Sequence, residues 1–318
     1  MKKALLLTAV AFSLAAPARA AELRSDVLFL LPQECGEVAF LDLQSLRGSP
    51  HYTLVKQRFI PTRFLHFERF LLSTGVDADK DVDWLAWAIV PPGAEQPQEI
   101  FLGFAQGHFS PEKVQEHYAK QKLPMDAYRG LTLFPFGSGV SPQDLLFTFL
   151  DSSTLAFGTR ASLELTLETR YGGHGNLGEN KELFARIYEV NGHTPIWAVF
   201  DDDYTRLAVR QLLPEAAKFP QFTQAAQRFR GGLLRVDLDR EASVNFQAWC
   251  AQPADAQSFS LLLQVGLMAQ SWKVQESDPV LSSVLQHTAV KTAGERLELQ
   301  VSIAESDLKA LLERRSLL

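Results

Sequence analysis

The sequence predicts an α+β fold of two related units, each an antiparallel sheet with helices packed on one face. Three observations lead there. Short stretches alternate apolar and polar residues and come in pairs joined by turns, as in hairpins with one buried and one wet face. The clearest has Leu234, Val236 and Leu238 against Arg235 and Asp237, then Val244, Phe246 and Ala248 against Asn245 and Gln247. The second half reads strand, helix, hairpin, helix, hairpin, helix, and the first runs through a similar series. Finally, EVAFLDLQSL at 37–46 is echoed by AVFDDDYTRL at 198–207. In both, an apolar strand ends in Asp before helical material, as though one unit were used twice.

Residues 1–20 read as a secretory signal. Lys2 and Lys3 precede an apolar core, and Ala18-Arg19-Ala20 is a small-x-small cleavage site. The units then span 21–175 and 176–318. No Cys stands at the cleavage site for lipid attachment, and no later stretch is long and apolar enough to span a bilayer. The expectation is an exported soluble chain, periplasmic or extracellular. Cleavage would remove three cations, Lys2, Lys3 and Arg19, and take the formal charge from −6 to −9. An acidic chain of this kind argues against a nucleic-acid partner, since phosphate contacts need a basic surface. Cys35 and Cys250 are the only cysteines. In an exported protein they either pair, tying the halves together, or stand as two separate buried thiols.

In the first unit an apolar run, 27–31, ends at Pro32, and 38–41 is the strand of the echo. Ser49-Pro50 starts a helix that Pro61 breaks, and a second follows over 62–73. These helices interleave Phe59, Phe64, Phe67 and Phe70 with Lys56, Arg58, Arg63, His66 and Arg69. The basic, Phe-rich stretch reads as core packing with solvated arginines, or as a surface centred on Arg58, Arg63 and Arg69 for a partner protein or membrane. Asp79, Asp81 and Asp83 lack the glycine and distal Glu of a calcium loop and read as a turn. Strands at 84–90 and 99–107 form a hairpin, and Ser110-Pro111 opens a helix to 121. Strands follow at 131–136, 145–150 and 154–157. Over 159–171, Leu163, Leu165 and Leu167 alternate as in a strand, while Thr159 as a cap and the ending Gly172-Gly173 favour a helix.

In the second unit Asn180 caps a helix over 181–190, and Asn191-Gly192 ends it. The strand 196–200 is apolar on both faces, so buried. Asp201-Asp202-Asp203 stops it and caps a helix that Pro214 ends. Further helices are expected over 216–229, interrupted at Pro220, and over 254–272, 279–285 and 306–314. A last hairpin bends near Ala293-Gly294.

Thr74-Gly75-Val76-Asp77, the strand-and-turn unit Leu155-Ala156-Phe157-Gly158-Thr159, and the start Asn176-Leu177-Gly178-Glu179-Asn180 carry a resemblance. With the early strand ending in Asp, the chain resembles a family of exported bacterial proteins known only as a domain of unknown function. The resemblance implies a fold and export. It implies no catalytic residues.

The sequence holds no HExxH, CxxC, P-loop or GxSxG. Ser138 between glycines reads as a flexible turn, and His174 as a loop histidine. The best metal ligands are Asp201 and Asp203, joined by Asp237 and Asp239 if their strand is adjacent; the plainer reading is a helix cap with solvated acids. No cofactor is expected. The reading is a non-catalytic envelope protein that presents a surface to a protein partner, with peripheral membrane contact as a variant. The alternatives are a carrier of an apolar small molecule in a cleft between the units, and a hydrolase whose site is assembled from distant residues.

Overall fold

The computed structural model describes residues 20–53, 56, 68, 71–72, 76–93, 97–136, 144–212, 220–238 and 241–312. The basic Phe-rich stretch falls largely outside them, and Arg58, Arg63, Arg69, Ser138 and Asp239 all do. The fold is α+β with antiparallel strand pairing, as the hairpin pattern predicts. It differs from the expectation first in that the halves do not form a sheet each. One twelve-stranded sheet runs in the order β11-β12-β10-β9-β8-β1-β2-β3-β7-β6-β5-β4.

The seam is the pair β1 (Glu37–Asp42) and β8 (Ile196–Phe200), which are antiparallel with Ala39 opposite Ala198. Both strands are buried on both faces, so the sheet must be covered on each side, and each strand is paired along both edges. From the seam outward, the first half places its strands as β1, β2 (Val82–Val90), β3 (Ile100–Gly107), β7 (Thr154–Gly158), β6 (Leu146–Phe149). The second half places β8, β9 (Phe229–Leu238), β10 (Ala242–Cys250), β12 (Arg296–Ile303), β11 (Thr288–Ala293). First, second, third, last and penultimate strand thus recur in one order on both sides. Beyond β6 lie β5 (Leu131–Pro135) and the short β4 (Asp126–Tyr128).

The seam is symmetric in its hydrogen bonds too. Asp42 N donates to Pro195 O, just before β8, and Asp201 N donates to Gly36 O, just before β1, both at 2.8 Å. Each Asp then caps the helix after its strand. Asp42 accepts from Ser45 N at 2.9 Å ahead of α2 (Leu43–Leu46). Asp201 accepts from Tyr204 N at 2.8 Å at the start of the helix Asp202–Leu212.

Helices cover both faces, not one. Val38, Phe40, Trp84, Trp197 and Val199 point to the first face. There they pack on α1 (Ser25–Leu28), the helix Arg160–Arg170 and the helix Lys181–Val190. Ala39, Leu41, Ala198 and Phe200 alternate to the second face. On that face lie the helix Pro111–Gln121, the helices after Asp201, and α9 (Pro253–Val274), counting described helices in chain order. The segment 213–219 lies outside the described residues, and the interrupted helix begins at Pro220.

The halves interlock beyond the sheet. Leu177 N donates to Leu31 O at 2.7 Å, Gln33 N to Gly175 O at 3.1 Å, and Asn180 Nδ2 to Gln33 O at 3.1 Å. The Asn191 side chain holds both the N–H and the C=O of Leu23 at 2.8 Å. The boundary near residue 175 is therefore a pinned connection within a continuous body.

Candidate functional site

Of the carboxylates that sequence reading grouped as metal ligands, Asp201 and Asp237 are not brought together, and Asp239 lies outside the described residues. In the β8–β9 pairing, Ile196 faces Val236 and Phe200 faces Gly232. Asp201 follows Phe200, whereas Asp237 follows Val236 at the other end of the pair. A five-residue strand, roughly 17 Å, separates them. Asp201 is occupied as a helix cap, and Asp203, with Asp202, forms ion pairs with Arg206. Among the described residues, no group of three or more His, Cys, Asp or Glu could hold a metal ion.

The cysteines do not pair. Both are free and buried, Cys35 in the core of the first face and Cys250 beside Phe229 and Phe259 on the second. Burial raises both thiol pKa values, that of Cys250 to about 12, so both stay protonated and unreactive. His174 Nε2 donates to Glu34 at 2.8 Å, which joins the interunit loop to the start of the chain.

At one end of the seam lies a group of titratable side chains. Trp87 Nε1 donates to Glu37 at 3.0 Å, and Tyr204 Oη donates to Glu99 at 3.0 Å. Gly36 leaves room for them, since a Cβ there would lie 2.5 Å from the Tyr204 ring and 2.9 Å from Asp201 Oδ2. Burial pushes Asp201 up to about 6, with Asp202 and Asp203 adding to the rise and the Tyr204 N–H opposing it. Its folded form therefore holds a proton more tightly than the unfolded chain. The native state loses stability as pH rises from about 4 to 6, by on the order of 1–2 kcal/mol after allowance for solvent screening. Asp201→Asn keeps the cap and removes the charge. It is expected to raise the melting temperature by a few degrees at pH 8 and leave it unchanged at pH 4, read by thermal unfolding at both.

The surface that stands out is the outer side of α9. Ala256, Phe259 and Leu263 of this 22-residue helix pack inward. The outward side carries Leu261 (65% exposed), Leu262 (52%), Val265 (61%), Met268 (49%) and Trp272 (66%). The apolar area they present is on the order of 500 Å², the size at which a patch marks an interaction site. Between Asp255 and Lys273 the sequence has no charged residue. Alongside, a groove of ≈ 310 Å³ runs between α9, the helix Pro279–Gln286 and the edge strand β11. Leu267, Met268, Trp272, Leu285 and Val290 contribute its apolar lining. It lies wholly within the second half, not between the units as the carrier reading expects. Val290 O accepts from Gln264 Nε2 at 3.5 Å across its floor.

Polar groups sit on the inner side of α9 instead. Ser271 and Ser282, each 3% exposed, meet between the two helices with their hydroxyls 3.1 Å apart. Gln286 Nε2 donates to both hydroxyls, at 3.1 and 3.2 Å. Sequence reading placed the helix but not its inversion. The signal was the charge-free run itself, together with apolar residues on all sides instead of one stripe.

No family model matches the chain, and no curated protein matches it. Among solved structures, crystal form I of TP0453 has a TM-score of 0.48 at 10% identity, over 90% of this chain and 96% of that one. Crystal form IV of TP0453 has a TM-score of 0.47 at 8% identity over the same shares. This is a distant similarity of chain trace that carries no residue and no activity across.

Proposed function

We propose that the chain is an exported, non-catalytic protein of the cell envelope that acts by docking, and that the outer face of α9 is its docking surface. The observation that carries this is the row of five large apolar side chains on the solvent side of one helix. Covering such a surface lowers the free energy by about 25 cal/mol for each Å². Leaving it bare without a partner is a cost that the opposite, polar-out pattern would avoid. The test is the double substitution Leu261→Gln with Val265→Gln, both at exposed positions. It should leave far-UV circular dichroism and melting temperature within error of wild type. Cell fractionation should show at least a tenfold loss of envelope association. An unchanged distribution would reject the surface.

A second reading follows from the adjoining groove, whose volume suits a small apolar molecule. In that case native mass spectrometry of protein taken from its own envelope would show a retained small-molecule mass.

A further inference from the structure

We infer that the α9 face is covered by the hydrocarbon of a lipid surface, with the helix lying in the membrane plane. This rests on the docking reading above and names what docks.

The first ground is the inverted pair of helices. Two helices that meet in water put small polar groups outside and large apolar ones between them. Here Ser271, Ser282 and Gln286 form the hydrogen-bonded contact, while Leu261, Leu262, Val265, Met268 and Trp272 face out. Small polar side chains at the helix–helix contact with apolar side chains outside is the arrangement that helices adopt against lipid tails.

The second ground is what the face lacks. A protein partner is held by about one hydrogen bond for each 100–200 Å². Two of the polar side chains along the helix are spent internally, Ser258 on Ala254 O and Gln264 on Ser260 and Val290 O. With no charge between Asp255 and Lys273, no ionised group has to be desolvated when the face is covered. A surface with so few polar groups to offer suits a solvent of acyl chains.

The third ground is size and ends. A second copy would need about 800 Å² from each partner for a stable dimer, more than the crown of one helix supplies. The apolar row ends in Trp272 followed by Lys273. An indole with an ammonium behind it belongs at the boundary between acyl chains and headgroups. The face itself carries no cation between Asp255 and Lys273, so its binding needs no anionic headgroup and neutral lipid suffices.

The probe is phosphatidylcholine vesicles, mixed with the protein as processed by its own cell and floated on a density gradient. Wild type is expected to float, and to keep floating in 0.5 M salt. Leu261→Gln with Val265→Gln should reduce the floated fraction at least tenfold. Vesicles with brominated acyl chains should quench tryptophan fluorescence, and Trp272→Phe should abolish most of that quenching while flotation persists. Failure of wild type to float, flotation that needs anionic lipid and vanishes in salt, or quenching indifferent to Trp272→Phe would each overturn the inference. A photo-crosslinker at position 265 separates it from the docking reading. If wild type stays off vesicles but crosslinks to an envelope protein or a second copy, lipid is wrong and docking stands. If it does neither, both fall.

Discussion

Trp197→Ala is expected to remove about 3–5 kcal/mol from the stability of the whole chain, in one transition. Trp197 is 1% exposed on β8. Its ring stacks on Phe40 of β1 at 5.5 Å and 20°, and Phe40 meets Trp84 of β2 at 5.7 Å. Three aromatic rings therefore run across the seam on the first face, and truncation leaves a cavity under the helices there. Typical native stability is about 5–15 kcal/mol, so the loss is a large fraction of the total. Trp197→Phe should cost much less. It keeps the stack and removes an indole N–H that has no hydrogen-bond partner among the described residues. Denaturant unfolding of both variants, followed by fluorescence and circular dichroism, checks this. Coincident curves shifted together would show the halves folding as one body. Two transitions, of which only the second moves, would mean that the β1–β8 seam couples nothing.

The seam also marks the limit of what could be read in advance. Caps are local chemistry, so they were legible. Thr159 accepts from Ser162 N, Asn180 from Leu183 N and Asp201 from Tyr204 N, and each helix starts where its cap was read. Hairpins were legible because turn and alternation lie side by side in the chain. The pairing of β1 with β8 joins residues about 160 positions apart, and no local pattern encodes such a register. The one hint was that 196–200 is apolar on both faces, which requires a packing layer on each side of the sheet. Reading helices on one face only left that requirement unmet. Helices on both faces follow for the same reason, since a strand in mid-sheet has two apolar faces to cover.

The docking surface was harder to read, because an apolar helix is ordinarily assigned to the core. The segment 254–272 reads as a helix, with nothing in the sequence to mark which side faces out. Phe259 and Leu263 do pack. Leu261, Leu262 and Val265, a third of a turn or so around the axis, do not. Composition cannot separate the two sides when both are apolar, and only the buried Ser271 shows that the polarity is reversed. The carboxylates failed for the opposite reason. Asp201 and Asp237 looked close on adjacent strands, but antiparallel pairing sends them to opposite ends.

Gly107→Ala should be at least as damaging as the loss of Trp197, and it should resist rescue. A Cβ on Gly107 would lie 1.9 Å from Asp81 O and 2.8 Å from Val82 Cα. These are backbone atoms at the irregular start of β2, where the register shifts between Val82 and Trp84. They cannot give way easily. His108 N donates to the same Asp81 O at 2.7 Å, and Gly107 N donates to Ser153 O at 2.9 Å. Relief would break the end of the β2–β3 hairpin and its link to the 151–153 turn, at a cost of about 3 kcal/mol or more. Gly103 makes the informative contrast. A Cβ there would lie 2.3–2.7 Å from the ring of Phe157, which faces it on β7. Gly103→Ala should also destabilise strongly, but its obstacle is a side chain. Phe157→Leu in the same chain should recover part of the loss, so the pair should be non-additive by 1 kcal/mol or more. The same Phe157→Leu should do nothing for Gly107→Ala. Urea unfolding of the five variants measures both couplings, and equal rescue of the two glycines would show that the clash at Gly107 is not with the backbone.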